Sequence, residues 1–421
     1  VVEYAQYALT DDETLAYPSY PLERDFPKEE YELRIGRARE LMVRADLDAL
    51  VITSSVVGRW FTSAHEPHSW HDQACCRSAW YILTADADYL FATPTNNHNL
   101  NTQRRATWIT HVRPLVERSP WPRSEIWGID QIPPIFHELG LNRKRLGFEL
   151  GEEMTLGISF NDFLRLRELL PNASLVDGSS VIRRLMTMQT PLEIERTRLA
   201  CQAGVWIHNQ VPEVLRAGMT EREFMGRLSA TFAARYDHRY AYRPTGNWDV
   251  RNAERGDYNL HHHIATDRVF QAGDQICRGT SGASYRGYGG DVDRIWYLGE
   301  PPAVVREAYR ITWEVNRAMA EEIKPGNRCS DVYAALVRTT DRLQFPRPRA
   351  GRNGHGIHNT GDISVHPDNH TVLEPGMIVS VEPMFGNRHG YYDLEDQYLV
   401  MATGREALHD LAPEELPVIS T

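Results

Sequence analysis

The chain has 421 residues, 42% of them apolar and 24% charged, an ordinary globular composition that argues against a disordered or membrane-embedded protein. Lys and Arg number 46 against 57 Asp and Glu, a net charge of −11, and no basic run is present to follow a phosphate backbone, so nucleic acid is not an expected partner. This length suits two domains, each able to bury its own core.

Residues 32–44 carry a helical pattern, and Ala49-Leu50-Val51-Ile52 then reads as a buried strand ending in Thr53-Ser54-Ser55, together an α/β unit. The apolar runs 79–83 and 89–92, with a turn at Asp86 between them, predict a hairpin. From Arg59-Trp60-Phe61 through His65, His68, Trp70 and His71 the chain reads as a loop rich in aromatic and imidazole groups. Such a loop lines a site or simply packs on the surface. Near Met188 the pattern changes: Thr190, Pro191 and Glu193 supply an N-cap, a proline at the first helical position and a capping-box partner. The helix they start has a stripe through Ile194, Cys201 and Val205, and another helix runs from Pro302 through Val304, Ala308, Ile311, Val315 and Ala318 to a stop at Pro325-Gly326. Helices flanking strands predict an α+β protein, with domains at 1–188 and 189–421.

Cys75, Cys76, Cys201, Cys277 and Cys329 lack CxxC spacing and are expected as reduced core thiols. No apolar run reaches the roughly 18 residues of a membrane helix, and no charged-then-apolar leader opens the chain. A cytoplasmic protein that does not enter a membrane is the expectation, while the start at Val1 leaves a longer precursor open.

Four segments of the second half place acidic or imidazole groups on strands or tight turns. In Gly287-Tyr288-Gly289-Gly290-Asp291-Val292-Asp293 the two carboxylates would share one face of a strand. Like charges that close require a cation or an arginine, unless they sit on a solvated edge. Glycines flank His355 in Gly354-His355-Gly356-Ile357-His358, as in a turn residue or an imidazole reaching inward past a close backbone. Glu382 ends the apolar run Met377-Ile378-Val379-Ser380-Val381, where a carboxylate is costly unless paired or coordinated. Asp393, Glu395 and Gln397 alternate along one further strand and complete an oxygen-rich cage.

The order of these motifs, a strand Asp, Gly-His-Gly-Ile, Pro-Gly-Met followed by Glu-Pro, then Leu-Glu-Asp, resembles the pita-bread metallohydrolases, the family of creatinase, proline dipeptidase and aminopeptidase P. The likeness runs from about Thr190 to Leu411. It implies a C-terminal pita-bread catalytic domain preceded by a smaller α/β domain of creatinase type. It also implies that Asp291, His355, Glu382 and Glu395 are metal ligands, four of the family's five. The fifth position, an Asp in dinuclear members, lies in Thr280-Ser281-Gly282 here, and Asp293 is the candidate to replace it. One tightly held ion rather than two is therefore expected, and a site of one imidazole with carboxylates suits manganese, iron(II) or zinc.

By the same resemblance His262, in Asn259-Leu260-His261-His262-His263, faces the substrate together with His358, and Glu382 accepts a proton from the attacking water. Asp362 stands seven residues after His355, where peptidase members carry a histidine that donates to the reacting amide. An ionised carboxylate cannot donate there, but it can grip a cationic end or take a proton. A hydrolase of a C–N bond in a small substrate, not a general peptidase, is the expected activity. A lyase resembling dimethylsulfoniopropionate lyase, an Xaa-Pro peptidase and an inactive binding protein are the alternatives. The resemblance further implies a homodimer in which the N-terminal domain lends residues, with Trp60, His71 and Arg77 as candidates.

Overall fold

The computed structural model describes residues 25–63, 79–92, 107–115, 129–242, 248–255, 257–258, 265–279, 283–348, 352–357 and 362–421. The chain forms two compact units, 1–185 and 186–421. The first is an α/β layer around a six-stranded sheet of order β4-β3-β2-β1-β5-β6, with β1 Ala49–Ile52, β2 Trp80–Thr84, β3 Asp88–Ala92, β4 Val112–Pro114, β5 Arg145–Phe148 and β6 Ser174–Asp177. All four residues of β1 are buried, as an apolar run at the centre of a sheet must be. It pairs antiparallel with β2 and parallel with β5, and β2 and β3 form the expected hairpin. Past the end of β1, the backbone N–H groups of Thr53 and Ser54 donate to Glu149 Oε2 at 2.8 and 3.0 Å, which satisfies a carboxylate left 1% exposed.

The aromatic loop expected at Arg59-Trp60-Phe61 is a helix over these residues, Ser55–Thr62. Val57, Trp60 and Phe61 recur at helical spacing and point into the core, a periodicity that the density of aromatic residues obscured. Trp60 is 8% exposed and lies under the Arg34 guanidinium, 4.5 Å from its ring centre. Its ring therefore packs inside its own domain.

The second unit contains a five-stranded sheet of order β19-β13-β10-β8-β9, two three-stranded sheets, β12-β11-β7 and β14-β17-β18, and the hairpin β15-β16. The strands are β7 Tyr240–Tyr242, β8 Trp248–Asn252, β9 Asp257–Tyr258, β10 Gln275–Gly279, β11 Ala283–Tyr285, β12 Tyr288–Gly290, β13 Asp293–Leu298, β14 Ile378–Val381, β15 Met384–Asn387, β16 Gly390–Asp393, β17 Asp396–Val400, β18 Arg405–Ala407 and β19 Val418–Ile419. The helix Pro191–His208 begins with the expected capping box of Thr190 and Glu193, and Glu193 Oε1 also accepts from the Tyr288 hydroxyl at 2.9 Å. That helix packs on β11 and β12. The approach is close enough that a Cβ on Gly290 would lie 2.5 Å from the Cys201 nitrogen. The helices Ala303–Glu321 and Cys329–Arg342 pack on each other, and their apolar faces join β14, β16 and β17 in one core. Cys201, Cys277 and Cys329 are buried and free. Among the described residues no helix is long and apolar enough to cross a membrane.

Candidate metal centre

Asp291 does not lie on a strand, contrary to the sequence reading; it sits in the two-residue link between β12 and β13. Its backbone N–H donates to Gln397 Oε1 at 3.2 Å, and the Cys201 thiol donates to the same oxygen at 2.9 Å. Gln397 thus holds the link that carries Asp291 and is no part of the cage. Asp293 opens β13 and is fully buried.

His355 is tied to β14 through its backbone, which accepts from Ser380 N at 2.7 Å and donates to Ser380 Oγ at 3.0 Å. Gly354 makes this possible: its φ is +143°, and a Cβ there would strike the Ser380 carbonyl oxygen. The Nδ1 of His355 lies 2.8 Å from the Gly356 carbonyl, which can only accept, so Nδ1 carries the proton and Nε2 presents its lone pair. Burial holds this imidazole below its usual pKa, in the neutral form a metal ligand needs, although the Asp291 charge works the other way.

Around Nε2 stand Glu395 Oε1 at 3.4 Å, Asp291 Oδ2 at 3.6 Å and Glu382 Oε2 at 4.0 Å. Ligands each about 2.1 Å from one ion lie roughly 3 to 3.5 Å apart, so the first two contacts are close to that spacing and the third is looser. Asp291, His355 and Glu395 each offer an atom within 4.8 Å of the others, and Asp293, Glu382 and Asp393 form a second such group. The sequence reading put Glu382 in the set of His355. The geometry groups it with Asp293 and Asp393 and leaves it between the two sets.

Burial dominates the electrostatics. It pushes Glu382 up to about 8, helped by the Asp291 charge, and raises Asp293, Asp393 and Glu395 well above the usual carboxylate range. Asp291 Oδ1 and Glu395 Oε1 are buried without a hydrogen-bond partner among the described residues. Oxygens orphaned in this way need a proton or a cation.

Behind the carboxylates, Arg294 donates to the carbonyl oxygens of Asp293 at 2.8 Å and Glu395 at 2.9 Å, and to Asp396 Oδ1 at 2.9 Å. Asp293 and Glu395 also exchange backbone hydrogen bonds of 3.3 and 3.4 Å. Asn316, on the helix Ala303–Glu321, donates to the carbonyls of Val381 at 3.2 Å and Leu394 at 2.6 Å. The residues just before Glu382 and Glu395 are thereby fixed to one side chain.

Residues 195–402 match the metallopeptidase family M24, and residues 34–185 match the creatinase/prolidase N-terminal domain. The chain belongs to the pita-bread family of creatinases and prolidases. It is similar to the ectoine hydrolase of Halomonas elongata, 24% identical over 93% of this chain and 98% of that protein. It is also similar to the creatinase of a Bacillus species, 26% identical over 85% of this chain and 84% of that one. Among solved structures, the dipeptidase PepE from Mycobacterium ulcerans has a TM-score of 0.75 at 21% identity, covering 95% of this chain and 100% of that chain. Members of the family use divalent metals, and the orphaned oxygens around the neutral His355 fit such an ion.

Asp362 belongs to neither group; its Oδ2 accepts from the Thr187 hydroxyl at 3.5 Å and its carbonyl from Asn369 Nδ2 at 3.1 Å. His262, His358, His71, Arg77 and the segment Thr280-Ser281-Gly282 lie outside the described residues, as do Cys75 and Cys76. Asp393 was expected on one strand face with Glu395 and Gln397. The chain instead leaves β16 at Asp393 and enters β17 at Asp396, so Glu395 occupies the crossover between them. The sequence signal that marks Asp393 is an acid between the buried residues Tyr392 and Leu394. No spacing rule marks Arg294 or Asn316.

Proposed function

We propose that the protein is a metal-dependent hydrolase that cleaves a C–N bond in a small nitrogen-containing substrate. The observation that carries this reading is the lone pair of His355 Nε2 facing Glu395 and Asp291, of which Glu395 Oε1 and Asp291 Oδ1 have no hydrogen-bond partner among the described residues. A divalent ion bound there, manganese, iron(II) or zinc, supplies Lewis-acid charge and lowers the pKa of a water molecule. Glu382 stands at the edge of this group, 4.0 Å from His355 Nε2, and it takes the proton of the attacking water and returns it to the leaving nitrogen. Asp293 holds a neighbouring oxygen position. His262 and His358 orient the substrate, and Asp362 binds its cationic or amidic end. The names of the ectoine hydrolase and creatinase relatives support a small non-peptide substrate. The dipeptidases among the relatives support a peptidase as the second reading. The assembly proposed is a homodimer.

The test is a screen of ectoine, creatine-like guanidines and proline dipeptides with manganese, iron(II) or zinc in water enriched in ¹⁸O. One labelled oxygen per turnover, on the carbon that has lost its nitrogen, and loss of turnover on chelation are expected. Product without label would show elimination in place of hydrolysis and overturn the proposal. Turnover of proline dipeptides alone would favour the second reading.

A further inference from the structure

We propose that a cavity at the far end of β13 from the metal centre binds a small zwitterion of the α-amino-acid type, its carboxylate held by Arg388 and Tyr297 and its ammonium by Glu254. The inference does not rest on the metal reading. Asp293 and Tyr297 share one face of β13, four residues apart, so Tyr297 stands roughly 13 Å along the strand from Asp293.

The cavity has a volume of about 310 Å³, enough for a small molecule. Glu254, Tyr297 and Arg388 line it together with the apolar side chains of Pro302 and Val305. Tyr297 is 5% exposed, yet its hydroxyl has no hydrogen-bond partner among the described residues. A hydroxyl enclosed in this way is costly unless something in the cavity meets it. Burial, and then the charges of Glu254 and Asp274, raise its pKa, which keeps it a donor. Arg388 and Glu254 carry opposite charges into the same cavity, and neither forms an ion pair among the described residues. Asp274 is already engaged, since its Oδ2 accepts from Arg268 Nη1 at 2.9 Å.

The turns that bear the two charges are fixed by buried or backbone contacts. Arg251 Nη1 donates to the Asn387 carbonyl at 3.1 Å, and Asn387 Oδ1 accepts from the backbone N–H groups of His389 at 2.8 Å and Gly390 at 3.0 Å, which holds the hairpin turn that carries Arg388. Arg388 Nε donates to His389 Nε2 at 2.9 Å and leaves its Nη groups for a carboxylate. Asn252, buried, accepts from Glu254 N at 3.2 Å and so holds the turn after β8. Pro302 is the N-cap of the helix Ala303–Glu321, whose first turn has neither a side-chain cap nor an acidic residue, so its positive end also favours a carboxylate. An ion of one sign would leave either Arg388 or Glu254 without a counter-charge. A zwitterion meets both, and Pro302 and Val305 receive its apolar side chain.

The probes are glycine, alanine, valine and leucine, with acetate and methylammonium as controls of one charge each. Calorimetric titration of the full-length protein should show saturable binding of at least one amino acid, and neither control should displace it at equal concentration. R388A and E254Q should each weaken that binding by about 10- to 100-fold, the worth of a hydrogen bond to a charged group, and Y297F by about 2- to 10-fold. Bound metal, counted by mass spectrometry, should be unchanged in all three variants, which separates this cavity from the His355 group. Absence of saturable binding for every amino acid overturns the proposal. Binding that all three variants retain in full places the amino acid elsewhere and overturns it equally, and acetate that binds as tightly as the amino acids removes Glu254 and with it the zwitterion. Arg388 and Glu254 are exposed, so their replacement leaves the fold intact and the outcome readable.

Discussion

The side-chain amide of Asn316 donates at 2.6 Å to the carbonyl oxygen of Leu394, the residue that immediately precedes Glu395. The same amide reaches the Val381 carbonyl, just before Glu382, at 3.2 Å. A helix of the core thus sets the spacing of two carboxylates whose strands are not neighbours in sequence.

Replacing Asn316 with Ala removes two hydrogen bonds to buried backbone carbonyls, a destabilisation of about 0.5–1.5 kcal/mol for each, and frees the ends of two carboxylate-bearing segments. Supports of this kind are worth about 10- to 100-fold in metal affinity. Calorimetric titration of N316A with Mn²⁺ should show that loss, and urea melts should show the lower stability. Unchanged affinity would mean that the strands hold their spacing without the amide.

Gly354→Ala tests how His355 is presented. The added methyl meets the Ser380 carbonyl in a backbone region that L-residues avoid, a strain of about 1–3 kcal/mol. The pairing of His355 with Ser380 should open, and bound metal after dialysis should fall along with the melting temperature. A variant that retains both would refute the close-approach argument.

Glu382→Gln removes a proton carrier while keeping shape. A fall in kcat of about 10²- to 10⁴-fold is expected on whichever substrate the screen identifies, with a circular dichroism spectrum like that of the wild type. Retention of full kcat would take Glu382 out of the chemistry.

His208 gives a prediction about pH. It is fully buried against Trp296, with no hydrogen bond to either ring nitrogen among the described residues, and burial holds its pKa well below the usual 6.5. A depressed histidine binds its proton more readily in the unfolded chain, so stability is full above pH 6.5 and declines as pH falls below it. The slope is about 1.4 kcal/mol per pH unit for one such group. His208→Phe keeps a ring beside Trp296 and removes the titration. From pH 7.5 to 5.5 the stability of wild type relative to the variant, read from urea melts, should fall by about 1.4 kcal/mol, because the opposing carboxylates cancel in the difference. Parallel curves would show that His208 does not titrate differently on folding.

Much of this protein was legible in its sequence. The capping residues Thr190 and Glu193 act within one helical turn, β1 is one apolar run, and the hairpin of β2 and β3 needs a single turn, so local chemistry sufficed for each. The glycines around His355 announced a close backbone approach, and the motif order announced the family. What only tertiary structure decided is the grouping of the acids. Asp291 and Asp293 are two residues apart yet serve different clusters, because the chain enters β13 between them; Asp393 and Glu395 part in the same way at the crossover from β16 to β17. Alternation along a strand predicts which face a side chain takes only while the strand continues. Arg294 and Asn316 were invisible for a related reason: they bind backbone carbonyls up to 116 residues away, and any residue supplies a carbonyl.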